Sequence, residues 1–192
     1  MVADIAKLRG YENVGFLDDR SDGGAVDGYP VLGDTNAFEA YKENCAFIVA
    51  IGDNCARRRL YEKLRLGGGE TVSLCHPNAV VAEGVQIGKG TVIMAGAVVN
   101  TGASIGNGVI LNTCCSVDHD CVVGDFCHVS VGAHLAGTVN LGENVLVGAG
   151  ATVIQNVDIC ADCVIGAGAV VIKDVKESGT YLGVPALLKT RG

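Results

Sequence analysis

Residues 97–135 read AVVNTGASIG NGVILNTCCS VDHDCVVGDF CHVSVGAHL, and every sixth residue from Val99 onward is Val, Ile or Leu. The same spacing runs without insertion from Val81 to Val171, sixteen positions in all. A second column, two residues earlier in each repeat, holds small or β-branched residues. A period of six fits neither the 3.6-residue turn of a helix nor the two-residue alternation of a strand. It is the hexapeptide pattern of a parallel β-helix, in which each repeat supplies one short strand and a corner.

Three hexads form one triangular coil in such a structure, so residues 18 apart in the sequence stack above one another. The sixteen hexads therefore predict about five coils. We expect the Val, Ile and Leu column to point inward and the other positions to face outward on three flat sides. Prisms of this kind associate side by side, which would place ligands in the grooves between subunits.

Whole-chain composition agrees with a narrow aliphatic interior. The 192 residues are 49% hydrophobic, but only 5% are aromatic and Trp is absent. The 28 glycines are enough to supply corners with positive φ. A net charge of −7 argues against nucleic acid or an acidic membrane surface as the main partner.

The nine cysteines do not indicate a disulfide framework. Their number is odd, and four of them fall in the small-residue column, where a thiol acts as a compact core side chain. These four are Cys115, Cys121, Cys127 and Cys163. With no zinc-ligand cluster, no signal-peptide pattern and no apolar run of membrane-spanning length, we expect a cytoplasmic protein in a reducing compartment.

The first 75 residues have a different pattern, which predicts a small α/β Rossmann-like unit. Val14–Leu17 is predicted as a strand that ends at Asp18 and Asp19, and Ala46–Ile51 as a buried strand closed by Gly52. Loops at strand ends are where open parallel sheets bind ligands. The two aspartates could equally cap and solvate a loop, and the sequence leaves both interpretations open.

A histidine with acidic neighbours is the clearest candidate for catalysis. His119 lies two residues after Val117, at an outward position, between Asp118 and Asp120. An exposed imidazole beside a carboxylate is suited to act as a general base, although an isolated surface histidine is the simpler reading. His128 follows nine residues later, half a coil around the prism. The two rings could therefore share one site only if a second subunit supplied one of them.

Several segments resemble one family of left-handed β-helix acyltransferases. NTCCSVDHDC at 112–121, GDFCHVSVG at 124–132 and GVPA at 183–186 are similar to the sialic-acid O-acetyltransferase/UDP-amino-sugar N-acetyltransferase family, most of all its bacillosamine-pathway branch. Matches at 5–7, 10–11, 16–19 and 50–54 extend the resemblance over nearly the whole chain. The hexads alone indicate only the superfamily, whereas these segments are more specific.

The resemblance implies transfer of acetyl from acetyl-CoA to a sugar amine or hydroxyl by direct attack. It makes His119 the general base and Asp120 the acid that raises its basicity, where the bacillosamine branch has the longer Glu. His128 matches a residue that contacts acetyl-CoA. Ala149 and Ala167 fall where the backbone borders that cofactor.

The resemblance also makes Asp18, Asp19 and Gly52 contacts of a nucleotide-linked sugar. In the family, a strand and a loop that helps bind the nucleotide precede the helix that begins here near Val2, so we expect a truncated start. The predicted organisation is an α/β nucleotide-sugar-binding domain at 1–75, the left-handed β-helix at 76–175 and a C-terminal tail at 176–192.

The function expected from these observations is N-acetylation of a nucleotide-linked 4-amino sugar by a homotrimer that needs no metal. O-acetylation of sialic acid or another sugar is the alternative within the same class. A zinc site built from His119, His128 and His134 is a third possibility, because three protein ligands suit catalytic zinc. An inactive scaffold or sugar-binding subunit is a fourth.

Overall fold

The computed structural model describes residues 1–20 and 23–189, and its largest part is a parallel β-helix of two-residue strands. Each strand pairs in parallel with the strand 18 residues away, as His128 does with Ile110 and Leu146. Strands β5 to β21 are, in order, Leu74–Cys75, Val80–Val81, Gln86–Ile87, Val92–Ile93, Val98–Val99, Ser104–Ile105, Ile110–Leu111, Ser116–Val117, Val122–Val123, His128–Val129, His134–Leu135, Asn140–Leu141, Leu146–Val147, Thr152–Val153, Asp158–Ile159, Val164–Ile165 and Val170–Val171.

The strands form three sheets, which are the three faces of a triangular prism. One face contains β5, β8, β11, β14, β17 and β20, the second β6, β9, β12, β15, β18 and β21, and the third β7, β10, β13, β16 and β19. The corners between successive strands stack into three edges. This arrangement confirms the stacking of residues 18 apart that the hexads predicted.

The interior is filled by the predicted inward column. Hexad residues from Ile93 to Val171 are at most 3% exposed, and the four cysteines of the small-residue column are buried among them. Ile87, in the first coil, is 39% exposed. Its coil is at the end of the prism and is covered from one side only.

Most corners contain a residue in the left-handed region, and several of these are not glycine. Asp120 has φ 57° and Phe126 has φ 59°. Asp adopts this conformation readily, whereas a bulky aromatic residue rarely does. Phe126 is only 3% exposed and packs edge-to-face on Tyr61, with 5.3 Å between ring centroids. Packing against the N-terminal part of the chain therefore holds this corner.

The N-terminal part is less regular than predicted. Its elements are α1 Val2–Leu8, β1 Ala25–Val26, β2 Tyr29–Pro30, α2 Phe38–Tyr41, β3 Ala46–Phe47, α3 Asn54–Leu66 and β4 Glu70–Thr71. The strand predicted at Val14–Leu17 is wrong: these residues make one bridge, from Phe16 to Val31. The Ala46–Ile51 run is strand only over β3, because β3 pairs with just one described strand, β4.

Helix α3 lies along one edge of the prism. Asp53 begins it by accepting a hydrogen bond at 2.7 Å from the Ala56 amide. Tyr61 packs over Gly90, where a side chain would collide with the ring. Arg58 pairs with Glu143, three coils further along than Gly90. The helix thus fixes the N-terminal part directly on the β-helix.

The C-terminal segment, predicted as a tail, contains two strands. β22 (Thr180–Leu182) pairs in parallel with β20, and β23 (Leu187–Leu188) returns antiparallel to β22. The predicted tail extends to residue 192, and its residues 190–192 lie outside the described part. Among the helices of the described residues, none is long and apolar enough to span a membrane.

Candidate active site

His119 and Asp120 form a hydrogen-bonded pair at the corner between β12 and β13. His119 Nδ1 lies 3.0 Å from Asp120 Oδ2, and both side chains are more than half exposed. The hydrogen bond to Asp120 raises the pKa of His119 above its usual 6.5. A neutral ring that donates from Nδ1 leaves Nε2 as its proton acceptor. The predicted pair of base and carboxylate is therefore formed within one chain.

Asp118 holds the backbone of this corner. Its Oδ1 accepts from the His119 amide at 2.8 Å and from Asn100 Nδ2 at 2.9 Å. These bonds, chiefly the one from Asn100, lower the pKa of Asp118. Asp118 is thus a support for the corner, whereas Asp120 is the partner of the imidazole.

Two glycines from the neighbouring coils leave space for the pair. A Cβ on Gly137 would lie 2.5 Å from His119 Nε2 and 2.6 Å from its Cε1, and a Cβ on Gly102 would collide with an Asp120 carboxylate oxygen. Our sequence reasoning missed both glycines. Both could have been predicted from the 18-residue stacking, because Gly137 is 18 residues after His119 and Gly102 is 18 residues before Asp120.

His128 is held in one orientation on the face of β14. Asn112 Oδ1 accepts from the Thr113 amide at 2.8 Å, so its Nδ2 faces His128 Nε2 at 3.0 Å. The backbone of Gly52 lies near the ring and favours its protonated form, which offsets part of the effect of burial. Burial lowers the pKa of His128 to about 4, so the ring is neutral at physiological pH.

The structure therefore places a predicted cofactor residue, His128, near a predicted acceptor residue, Gly52. Ala149 and Ala167 are exposed and stacked at the edge that follows β14, where the Gly168 amide donates to the Ala149 carbonyl at 2.9 Å. Small side chains along this edge leave the backbone open to a ligand. This edge borders the face that carries His128.

His119 lies on a different side of the prism. Going around one coil, its edge lies between the faces of β12 and β13, α3 covers the edge after β13, and the alanine edge follows β14. The His119 edge is thus opposite the face that carries His128. The His119–Asp120 pair is therefore separate from the group that contains His128, Gly52 and the two alanines, and one chain does not bring the two together.

Asp18 and Asp19 have local partners. Asp19 accepts from the Thr35 amide at 2.7 Å, which lowers the pKa of its carboxyl, and Asp18 accepts from the Arg20 amide at 2.9 Å. Asp19 also lines an open groove of about 510 Å³ with Arg59 and Lys63 of α3. The groove brings two cationic side chains beside one of the predicted acceptor contacts.

The residues described here contain no cluster of three or more His, Cys, Asp or Glu side chains that could hold a metal ion. The three histidines of the zinc alternative have separate partners; that of His134 is Ser116, at 2.8 Å.

One cysteine pair was not predicted from the sequence. Cys160 and Cys163 have the C-x-x-C spacing, and their Sγ atoms lie 3.5 Å apart at a corner of the fifth coil.

A histidine–carboxylate pair on a hexapeptide β-helix defines an acyltransferase-like protein. Two family models match the chain: the PglD N-terminal domain at residues 1–64 and the bacterial transferase hexapeptide (six repeats) at 138–173. The acetyltransferase domain of PglB from Neisseria gonorrhoeae, solved with acetyl coenzyme A, is 40% identical with a TM-score of 0.94, over 98% of this chain and 92% of that one.

PerB from Caulobacter crescentus, solved with CoA and GDP-perosamine, is 40% identical with a TM-score of 0.93, over 98% of this chain and 91% of that one. UDP-N-acetylbacillosamine N-acetyltransferase from Bacillus subtilis is 47% identical over 49 residues, which are 26% of this chain and 23% of that protein. The alignment thus spans about a quarter of this curated relative. The chain belongs to the hexapeptide-repeat sugar acetyltransferase family, and its fold is the predicted left-handed parallel β-helix.

Proposed function

We propose that the protein transfers acetyl from acetyl-CoA to the amine of a nucleotide-linked 4-amino sugar, with His119 as the general base. The observation that carries this proposal is the 3.0 Å bond between His119 Nδ1 and Asp120 Oδ2 on an exposed corner. The bond raises the pKa of His119 and leaves Nε2 as its acceptor. The relatives solved with acetyl coenzyme A, or with CoA and GDP-perosamine, support the donor and the acceptor class.

The proposed reaction is a direct attack on the thioester. The sugar amine forms a C–N bond to the acetyl carbon while His119 Nε2 takes a proton from the nitrogen. The C–S bond then breaks, and CoA leaves as its thiol after receiving a proton. The Asp120 carboxylate stabilises the imidazolium that exists between these proton transfers.

The two groups of site residues support a site shared between subunits of a homotrimer. His119 of one subunit would face the strip formed by His128, Ala149 and Ala167 of its neighbour. Neutral His128 and the open backbone at the two alanines would bind acetyl-CoA. This arrangement would use both groups, although they lie on opposite sides of each prism.

The N-terminal region would bind the acceptor. Gly52 lies beside His128, and Asp18 and Asp19 lie near the groove that contains Arg59 and Lys63, whose charges suit a nucleotide diphosphate. Residues 1–75 would thus be the nucleotide-sugar domain and the β-helix the acetyl-CoA domain. Use of acetyl-CoA and nine free thiols support a cytoplasmic protein.

A substrate panel tests this proposal. UDP-, GDP- and dTDP-linked 4-amino sugars, and their 4-hydroxy counterparts, would be incubated with acetyl-CoA. Acetylated products would be identified by mass spectrometry, because the exposed Cys45, Cys55 and Cys114 would interfere with a thiol reagent that detects released CoA. We expect turnover of at least one amino sugar and none of its hydroxy counterpart. Turnover of hydroxy sugars alone would support O-acetylation, and acetyl-CoA binding without turnover would support a scaffold.

The pH dependence of kcat/KM tests the His119–Asp120 pair. The base must be unprotonated, so kcat/KM should fall as the pH drops through the His119 pKa, which is raised above 6.5. Asp120→Asn removes the carboxylate that raises this pKa. The acidic limb of the profile should then move to lower pH, and the plateau should fall because the base is weaker.

Ionisation of the acceptor amine also contributes to the limb, but it belongs to the substrate and is the same for both enzymes. The displacement between the wild-type and Asp120→Asn profiles therefore isolates the pair. Superimposable limbs would show that Asp120 does not set the basicity of His119.

A further inference from the structure

Arg57 of α3 is a buried cation whose hydrogen bonds go to uncharged acceptors. The residue is 1% exposed, and no ion pair involves it in the part of the chain that the structure describes. Burial lowers its pKa to about 10, which still leaves it protonated at neutral pH. A buried guanidinium is costly unless every N–H has a partner, so the positions of those partners matter.

The partners of Arg57 lie on both sides of the junction between α3 and the β-helix. On the N-terminal side, Nη1 donates to the carbonyls of Ile51 at 3.0 Å and Gly52 at 3.1 Å, and Nη2 donates to Asn54 Oδ1 at 2.7 Å. Gly52 is also the residue whose backbone lies near the His128 ring. Arg57 therefore holds the peptide that lies near His128.

On the β-helix side, Arg57 holds the residues that lead into β14. Nη2 donates to the carbonyls of Phe126 at 2.7 Å and Cys127 at 3.3 Å, and Nε donates to the Gly108 carbonyl at 2.7 Å. Cys127 immediately precedes His128. One planar fork thus binds the acceptor loop and the peptide before His128 at the same time.

We infer that Arg57 is a positioning residue that sets the Gly52 loop against His128 and so aligns the acceptor with acetyl-CoA. The inference rests on the proposed function and adds to it a residue that touches neither substrate. A lysine at this position would keep the charge but could not provide the five N–H donors of the fork. With lysine at position 57, the Gly52 loop should become mobile, whereas the coil that holds His128 should stay rigid.

Arg57→Lys tests the inference, with Arg65→Lys on the exposed side of the same helix as the matched control. For Arg57→Lys we expect the KM for the nucleotide amino sugar to rise about tenfold, while the KM for acetyl-CoA stays within twofold. Hydrogen exchange at the amides of residues 51–54 should accelerate. Arg65→Lys should change none of these quantities.

Asn54→Ala is the milder variant, to be used if Arg57→Lys does not fold. It removes one acceptor of the guanidinium and the bond from Asn54 Nδ2 to the Asn144 carbonyl at 3.3 Å, but leaves the guanidinium in place, so smaller changes in the same direction are expected. Equal increases in both KM values, or unchanged exchange at 51–54, would overturn the positioning role. If wild-type protein acetylates no nucleotide amino sugar, the proposed function fails, and the exchange experiment still decides whether Arg57 holds the loop.

Discussion

His119→Ala is expected to lower kcat for acetyl transfer by about 10²–10⁴-fold, the range that a positioned general base contributes. The substitution removes Nε2, the acceptor that the Asp120 bond leaves open. The side chain is exposed, and the corner backbone is held by Asp118 rather than by the imidazole. Folding, assembly and CoA binding should therefore be preserved. Steady-state rates measure the loss of kcat, and a titration with CoA measures binding.

His76→Asn is the matched control, because it also removes an imidazole from the β-helix. His76 Nδ1 accepts from the Asn78 amide at 3.0 Å, and an Asn side chain offers an oxygen for the same bond. This variant should have wild-type turnover. Near-normal turnover in His119→Ala would contradict the proposal that His119 is the general base.

Gly137→Ala is expected to lower kcat by about 10²-fold, the cost of a misplacement on the order of 1 Å at a reacting group. The added methyl would occupy the space of His119 Nε2 and Cε1, so the ring must turn away and its bond to Asp120 is lost. Gly137 has no positive φ, so alanine adds no backbone strain there. The exposed ring can move freely, and unfolding free energy should change by less than about 0.5 kcal/mol.

A double-mutant cycle separates this effect from general damage to the coil. In the His119→Ala background the methyl has no ring to displace, so Gly137→Ala should cause no further loss of the residual rate. An equal loss in both backgrounds, or a large fall in melting temperature, would show that Gly137 acts through the fold and not through His119.

The repeat made most of the fold predictable. Each two-residue strand of the regular coils ends at a hexad residue, and its partner lies 18 residues away, because the period alone sets both. His119 could be placed on a corner for the same reason. The first 75 residues offered no such period. Val14–Leu17 has the composition of a strand, but strands need partners, and tertiary packing gave it a single bridge.

Side-chain partners were less predictable than positions. The sequence places Asp118 and Asp120 on either side of His119, but the local chain direction at φ 57° decides that Asp120 reaches the ring. The role of Arg57 could not be predicted from the sequence, because nothing local distinguishes it from the other arginines of this basic amphipathic helix. Only its packing against the Phe126 corner distinguishes it.

The sequence by itself determined the β-helix, its register and the class of chemistry, because a six-residue period admits one regular structure and the motif around His119 lies within it. The tertiary structure alone decided which groups meet. It placed Gly52 near His128 through the docking of α3, and it left His119 on the opposite edge of the prism. Contacts between residues far apart in sequence depend on how the irregular N-terminal part packs, and no local pattern encodes that packing.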